Sequence, residues 1–172
     1  MEFYEVVRTR RSIRSFRPDL VREDALNRVL EAVRIAPSGS NRQPWKFILV
    51  RNDGLKRRLA KACGNQMFIA EAPIVVVACG SDIHYNRGGY MGDMSMLVDM
   101  SIAVTHLILA ARAEGLGTCW IGSFDNKAVK GILEIPDDVN VVAVTPLGYP
   151  MQGFSEPGTR KTLTEIISND RF

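Results

Sequence analysis

Residues 93–114 read as a helix that is apolar nearly all round, and this feature narrows the folds open to the chain more than any other. Met96, Met100, Ala103, Leu107 and Ala110 fall on one side of it, and Leu97, Val104, Ile108 and Ala111 on another. A surface helix keeps a polar face, so one without it lies inside the molecule or at a subunit interface. Gly115 and Gly117, residues that tolerate positive φ, end the helix. Whatever the fold, other elements must wrap around this one.

Leu26, Val29, Leu30 and Val33 stand at i, i+3, i+4 and i+7 and predict a helix over residues 22–36, stopped by Pro37, whose ring disfavours helix in the preceding residue. Residues 45–50 and 74–78, rich in β-branched and aromatic types and bounded by turn residues, read as buried strands. A strand at 118–121, a helix at 126–133 (Val129, Ile132 and Leu133 on one face) and a strand at 139–145 follow. Residues 146–172 carry Pro150, Gly153, Pro157 and Gly158 before a short apolar pattern at Leu163, Ile166 and Ile167. That stretch is too extended to fold alone and is expected to wrap over a neighbouring surface. Strands and helices mix without a regular repeat, which indicates an α+β fold in one domain over residues 1–172.

Composition removes several function classes. With 46% hydrophobic and 24% charged residues the chain is an ordinary globular one, not a disordered one. Its 22 basic and 19 acidic residues are interspersed for a net charge of +3, which does not suggest nucleic acid. Arg8, Arg10, Arg11, Arg14 and Arg17 nevertheless crowd together, either as a local anion site or as a solvated surface. Cys63, Cys79 and Cys119 are far apart, odd in number and form no C-x-x-C, so neither disulfides nor zinc are indicated and a reducing cytoplasm fits. The N-terminus lacks the order of a signal peptide, and no apolar run is expected to approach the ~20 residues that span a bilayer.

Familiar catalytic motifs fail in turn. Gly115-Leu116-Gly117-Thr118 invites a dinucleotide reading, but Trp120 occupies the third glycine position and the turn follows a helix instead of a strand. No G-x-x-x-x-G-K-[ST] and no G-x-S-x-G is present. Of the two histidines, His84 falls in a Gly/Asn loop, and His106, inside the apolar helix, reads as a satisfied core residue more than as a base.

Three segments remain. Arg10-Arg11-Ser12-Ile13-Arg14-Ser15-Phe16 follows a short amphipathic stretch (Phe3, Val6, Val7) and combines guanidinium forks with hydroxyls, the donors that grip a phosphate. Residues 36–45, with Pro37, Ser38, Gly39, Ser40, Asn41, Gln43 and Trp45, form a turn cluster unusually rich in polar groups. Residues 115–122 close the set.

The pair R-x-S-x-[KR]-x-F and, about 25 residues on, P-S-x-x-N-x-Q-P-W resembles the nitroreductase family of FMN-dependent oxidoreductases. Gly115-Leu116-Gly117-Thr118-Cys119-Trp120-Ile121-Gly122 is similar to that family's flavin-edge strand, and Arg160-Lys161 to its C-terminal basic pair. The resemblance implies a central, mostly antiparallel sheet flanked by helices, with an extended C-terminal segment exchanged in a homodimer. It implies a flavoprotein oxidoreductase that passes electrons from NADH or NADPH through FMN to an organic acceptor, such as a quinone or nitroaromatic, in a ping-pong cycle. Arg10, Arg11 and Ser12, with Arg160 or Lys161, would meet the FMN phosphate and ribityl chain. Arg14 would face N1 and O2, where reduction leaves negative charge. The loop Pro37, Ser38, Gly39, Ser40 and Asn41 would reach the flavin of the other subunit, with Gln43 close by. Asn65 would hydrogen-bond the ring, and the backbone N–H groups of Ile121 and Gly122 would face N5 and O4. Thr162 follows the basic pair where relatives often carry Pro, which leaves its register open by one residue.

No protein acid or base is implied, and none is found. The short span 81–94 reads either as the cover of the substrate face or as a surface loop, and Met91, Met94, Met96 and Met100 read as interface packing. Two alternatives stand beside this reading: a flavin-binding regulator or redox-partner module without NAD(P)H turnover, and a relative with dehalogenase or flavin-modifying chemistry. The latter depends on lids or insertions for which 172 residues leave little room.

Overall fold

The computed structural model of the chain describes residues 1–81, 90–155 and 158–172. The elements run α1 (Phe3–Thr9), α2 (Glu23–Arg34), β1 (Trp45–Val50), α3 (Asp53–Ala62), α4 (Phe68–Glu71), β2 (Ile74–Ser81), α5 (Tyr90–Asp93), α6 (Ser95–Ala113), β3 (Gly117–Thr118), α7 (Asn126–Leu133), β4 (Val139–Gly148) and α8 (Leu163–Ile166). The four strands form one sheet in the order β1-β2-β4-β3, each pair antiparallel. An α+β fold with helices on both faces of an antiparallel sheet is thus what the chain adopts.

Side chains alternate across a strand, and β2 shows the consequence. Ile74, Val76 and Ala78 face a core built with α2 and α6, while Val75, Val77 and Cys79 face a second core built with α3, α4 and α7. Both faces are covered, so β2 reads as one continuous apolar run rather than an alternating one. Gly80 completes it for a steric reason: an added Cβ would lie 2.6 Å from Sδ of Met96. Met96 and Met100 are therefore core residues, not interface packing; Met94 is exposed.

Ten of the nineteen residues of α6 are buried. By length and composition alone the helix is long and apolar enough to cross a membrane, contrary to the expectation that no run approaches that length. Its inner face, with Met100, Ala103, Leu107 and Ala111, is taken up instead by the core shared with α2 and the sheet.

Strand limits follow pairing more than composition. β2 runs on to Ser81 and β4 to Gly148, because Ser81 pairs with Val139, Ile74 with Leu147, and Gly117 with Gly148. The strand expected at 118–121 shrinks to two residues, with Ile121 bridging Val144 in isolation. A helix the sequence reading does not include is α3, which Asn52 caps by accepting from Leu55 N–H and whose Leu59 and Ala60 are buried. Most of the span 81–94 lies outside the described residues, as does His84. His106 is half-buried with Nδ1 3.0 Å from the carbonyl of Ala32, a satisfied ring nitrogen.

Candidate functional site

Thr9 ends α1, and from Arg10 the chain is extended. Ser12 bridges Thr118 in parallel, Ile13 N–H donates to the Thr118 carbonyl at 2.8 Å, and Phe16 bridges Pro150. Further bonds run from Arg17 N–H to the Tyr149 carbonyl (2.9 Å) and from Met151 N–H to the Ser15 carbonyl (3.0 Å). The arginine segment thus lies between β3 and the continuation of β4. Ile13 packs on Gly117 so closely that an added Cβ there would sit 2.7 Å from Cγ1 of Ile13. Phe16 is buried, and these two apolar anchors leave the polar positions free.

In an extended chain every second residue shares a side. Arg10, Ser12 and Arg14 accordingly share one side of the segment, and Cys119 feels it: burial pushes its thiol up, while Arg14, Ser12 and Arg10 act in the opposite direction. Arg11, Ser12, Ile13, Arg14 and Ser15 form one wall of a cavity of about 390 Å³ whose other wall is Gln152, Gly153 and Ser155. Cys63 and Cys79, both buried, are pushed up to about 11, so these thiols stay protonated near neutrality and are poor nucleophiles.

The strand edge that follows offers backbone donors, but not the expected pair. Ile121 N–H donates to the Val144 carbonyl at 2.9 Å and the Ile121 carbonyl accepts from Val144 N–H at 3.1 Å. Ile121 is therefore not an open donor, because the sheet consumes its amide. Alternation turns the N–H groups of Trp120 and Gly122 the other way, and neither is bonded to a described residue. Trp120, 37% exposed, lies with its indole nitrogen 3.6 Å from where a Cβ of Gly122 would be.

Residues 37–43 form a strained loop. Ser40, Asn41 and Gln43 all have positive φ (51°, 54° and 50°), a region that non-glycine residues enter only under constraint. The constraint is visible. Gly39 N–H donates to Oδ1 of the buried Asp99 at 3.0 Å, Gln43 N–H to Ser38 Oγ at 2.9 Å, and Gln43 Nε2 to the Asn41 carbonyl at 3.0 Å. Pro37, Ser40, Asn41 and Gln43 stay exposed, and Ser38 and Gly39 half-buried. No hydrogen bond among the described residues joins this loop to the arginine segment.

Asn65, exposed and at φ 57°, closes α3 with its N–H on the Lys61 carbonyl at 3.2 Å. Arg160 folds back on its own segment, donating to the Thr159 carbonyl at 3.0 Å, and neither it nor Lys161 bonds to the arginine cluster among the described residues. Residues 158–172 are exposed throughout. Of the residues predicted from sequence, one cavity brings together Arg11, Ser12 and Arg14, with Arg10 next along the segment; among the described residues no hydrogen bond ties the loop, Asn65, Gly122 or the basic pair to them. Asp99, Arg112 and Trp120 have no part in that prediction. Asp99 and Arg112 carry a signal all the same, as ionised residues within the apolar α6.

A profile described as the nitroreductase family matches residues 7–93 and 64–149. An NADH dehydrogenase of Thermus thermophilus is 33% identical, over 92% of this chain and 91% of its own length. An FMN reductase [NAD(P)H] of Bacillus subtilis is 30% identical over 81% of this chain and 62% of its own length. The crystal structure of a nitroreductase family protein from Clostridium novyi NT superposes with a TM-score of 0.81 at 38% identity, covering 87% of this chain and 86% of that one.

Proposed function

The chain belongs to the nitroreductase family, and from that premise we propose that it is an FMN-dependent oxidoreductase, taking electrons from NADH or NADPH and giving them to an organic acceptor such as a quinone or nitroaromatic. The observation that carries the reading is the seating of the arginine segment on β3, with Arg11, Ser12 and Arg14 lining one cavity, on a chain whose Gly122 N–H is bonded to no described residue. An anion-gripping end and a neutral donor edge are what a flavin mononucleotide requires, and the residues present fit it.

When bound, FMN supplies the two-electron transfer, donor and acceptor taking the same place in turn. Arg10, Arg11 and Ser12 hold the phosphate, with Arg160 or Lys161 joining them. Arg14 keeps a fixed cation where reduction leaves negative charge, and Gly122 N–H donates to the ring edge. Asn65 adds a polar contact to the ring. No side chain need move a proton, in keeping with the raised thiols and the satisfied His106. The loop of Pro37, Ser38, Gly39, Ser40 and Asn41, with Gln43, serves the flavin of a second copy. The functional unit is then a homodimer with sites at its interface, and its free thiols suit the cytoplasm.

The absorbance spectrum of purified protein tests the cofactor. Flavin bands that bleach anaerobically with NADH or NADPH, and turnover with menadione, are expected. Flavin-loaded protein that neither bleaches nor turns over would leave a binding module in place of an enzyme.

A further inference from the structure

We propose that Arg112 is a positioning residue for the anion cavity, bracing its two walls at the spacing a phosphate monoester needs. This rests on reading the cavity of residues 11–15 and 152–155 as the FMN phosphate site.

Arg112 lies in the last turn of α6 and is only 6% exposed. Its Nε donates at 2.9 Å to Oγ1 of Thr9, the last residue of α1 and the one before Arg10. Thr9 Oγ1 in turn donates to the Glu5 carbonyl at 2.6 Å, so the hydroxyl proton is committed and a lone pair faces the guanidinium. On its other side the guanidinium carbon lies 3.8 Å from the centroid of the Phe154 ring. Phe154 stands between Gly153 and Ser155, both of which line the cavity. One side chain thus touches the root of the first wall and the middle of the second.

No ion pair to Arg112 forms among the described residues. A buried cation with no ion pair among the described residues is a poor device for stability, since an apolar residue fills such a place at less desolvation cost. Burial lowers its proton affinity, with Glu5 acting against that. What a guanidinium adds is geometry: it stacks on an aromatic face while donating in its own plane, which an ammonium cannot do. That geometry is needed here because, among the described residues, the walls are zipped by backbone bonds only as far as Ser15 and Met151. Past that point they part to form the cavity, and Arg112 spans them.

Displacement of FMN by riboflavin, which lacks the phosphate, reads this role directly. FMN-loaded protein is titrated with riboflavin and the released FMN measured. The wild type should need a large excess, and in Arg112→Met that excess should fall at least about tenfold, the loss expected when a charge-assisted contact is weakened. Arg112→Lys should fall between the two. Should Arg112→Met fail to fold by circular dichroism, Thr9→Val and Phe154→Leu each remove one arm of the brace, and each should lower the excess. An unchanged excess in folded Arg112→Met, or in both arm variants, would overturn the role of Arg112 alone. A wild type without preference for FMN would overturn the phosphate assignment, and this role with it.

Discussion

Arg14 and Asp99 are two charged side chains of opposite exposure, one on the arginine segment and one behind the loop of residues 37–43. Arg14 is exposed, and under the proposed function it faces the charge that appears on reduction. Arg14→Gln should therefore lower the flavin reduction potential more than it weakens flavin binding, and redox titration of both proteins checks this; equal midpoints would place Arg14 away from the reduced ring. Asp99 is 4% exposed and holds Gly39 N–H, the tether of a loop with three left-handed residues. Each such residue costs on the order of 1–3 kcal/mol and persists only where its surroundings over-determine it. Asp99→Ala should lose about 1–3 kcal/mol in urea denaturation, the cost of an unmade bond, while Asp99→Asn keeps an acceptor and should lose less. Equal losses would mean that the charge, not the acceptor, matters.

At the scale of elements, the site depends on how closely strands and helices approach. Gly117 lets Ile13 seat the arginine segment on β3; a Cβ there would meet Cγ1 of Ile13 at 2.7 Å and its Cβ at 2.9 Å, atoms too near the backbone to swing away. Gly117→Ala should cost about 1–3 kcal/mol of stability and weaken FMN binding as well, since overpacking moves the segment that carries the arginines. Loss of stability with flavin affinity intact would break that link. α2 is tied to the end of α6 by Arg28, whose Nε and Nη2 each reach a carboxylate oxygen of Glu114 at 2.7 Å. Arg28 holds the Glu114 carboxyl below its ordinary 4.5. A depressed carboxylate stabilises the fold above its unfolded value and loses that contribution as pH falls, so the window here lies below 4.5. Thermal midpoints should decline on acidification in this window less steeply for Glu114→Gln than for the wild type. Arg28 is 52% exposed, so the difference should be small.

At the scale of the whole molecule, what is left uncovered matters most. Phe3, Met94, Leu97, Val98, Ile102 and Leu109 line an open apolar groove along α6. In the tail, Leu163, Ile166, Ile167 and Phe172 are all exposed. Homodimers of obligate type commonly bury more than about 2,000 Å², and these surfaces supply apolar area for one. The thermal midpoint should then rise with protein concentration, and sedimentation at low micromolar concentration should show a dimer. A stable species of 19.1 kDa with full flavin occupancy would defeat the two-chain site.

Local chemistry was legible in the chain itself. Periodicity placed α2 within two residues of its limits at each end and α7 at its full extent, and β-branched and aromatic content marked β1, because helix and strand periods impose those patterns on whichever face is buried. The arginine segment, the turn cluster and the glycine-ended α6 were equally plain, since donors for an anion and residues for a turn are properties of residue type. Other features were decided only in three dimensions. Whether the amide of Ile121 stays open depends on Val144, and the full lengths of β2 and β4 depend on the strands beside them. Arg112 acquires its role only because Thr9 and Phe154, at opposite ends of the chain, come to either side of it. Sequence specifies what each residue can donate, accept or bury. Long-range packing determines which of those capacities are spent inside the fold and which remain for a ligand.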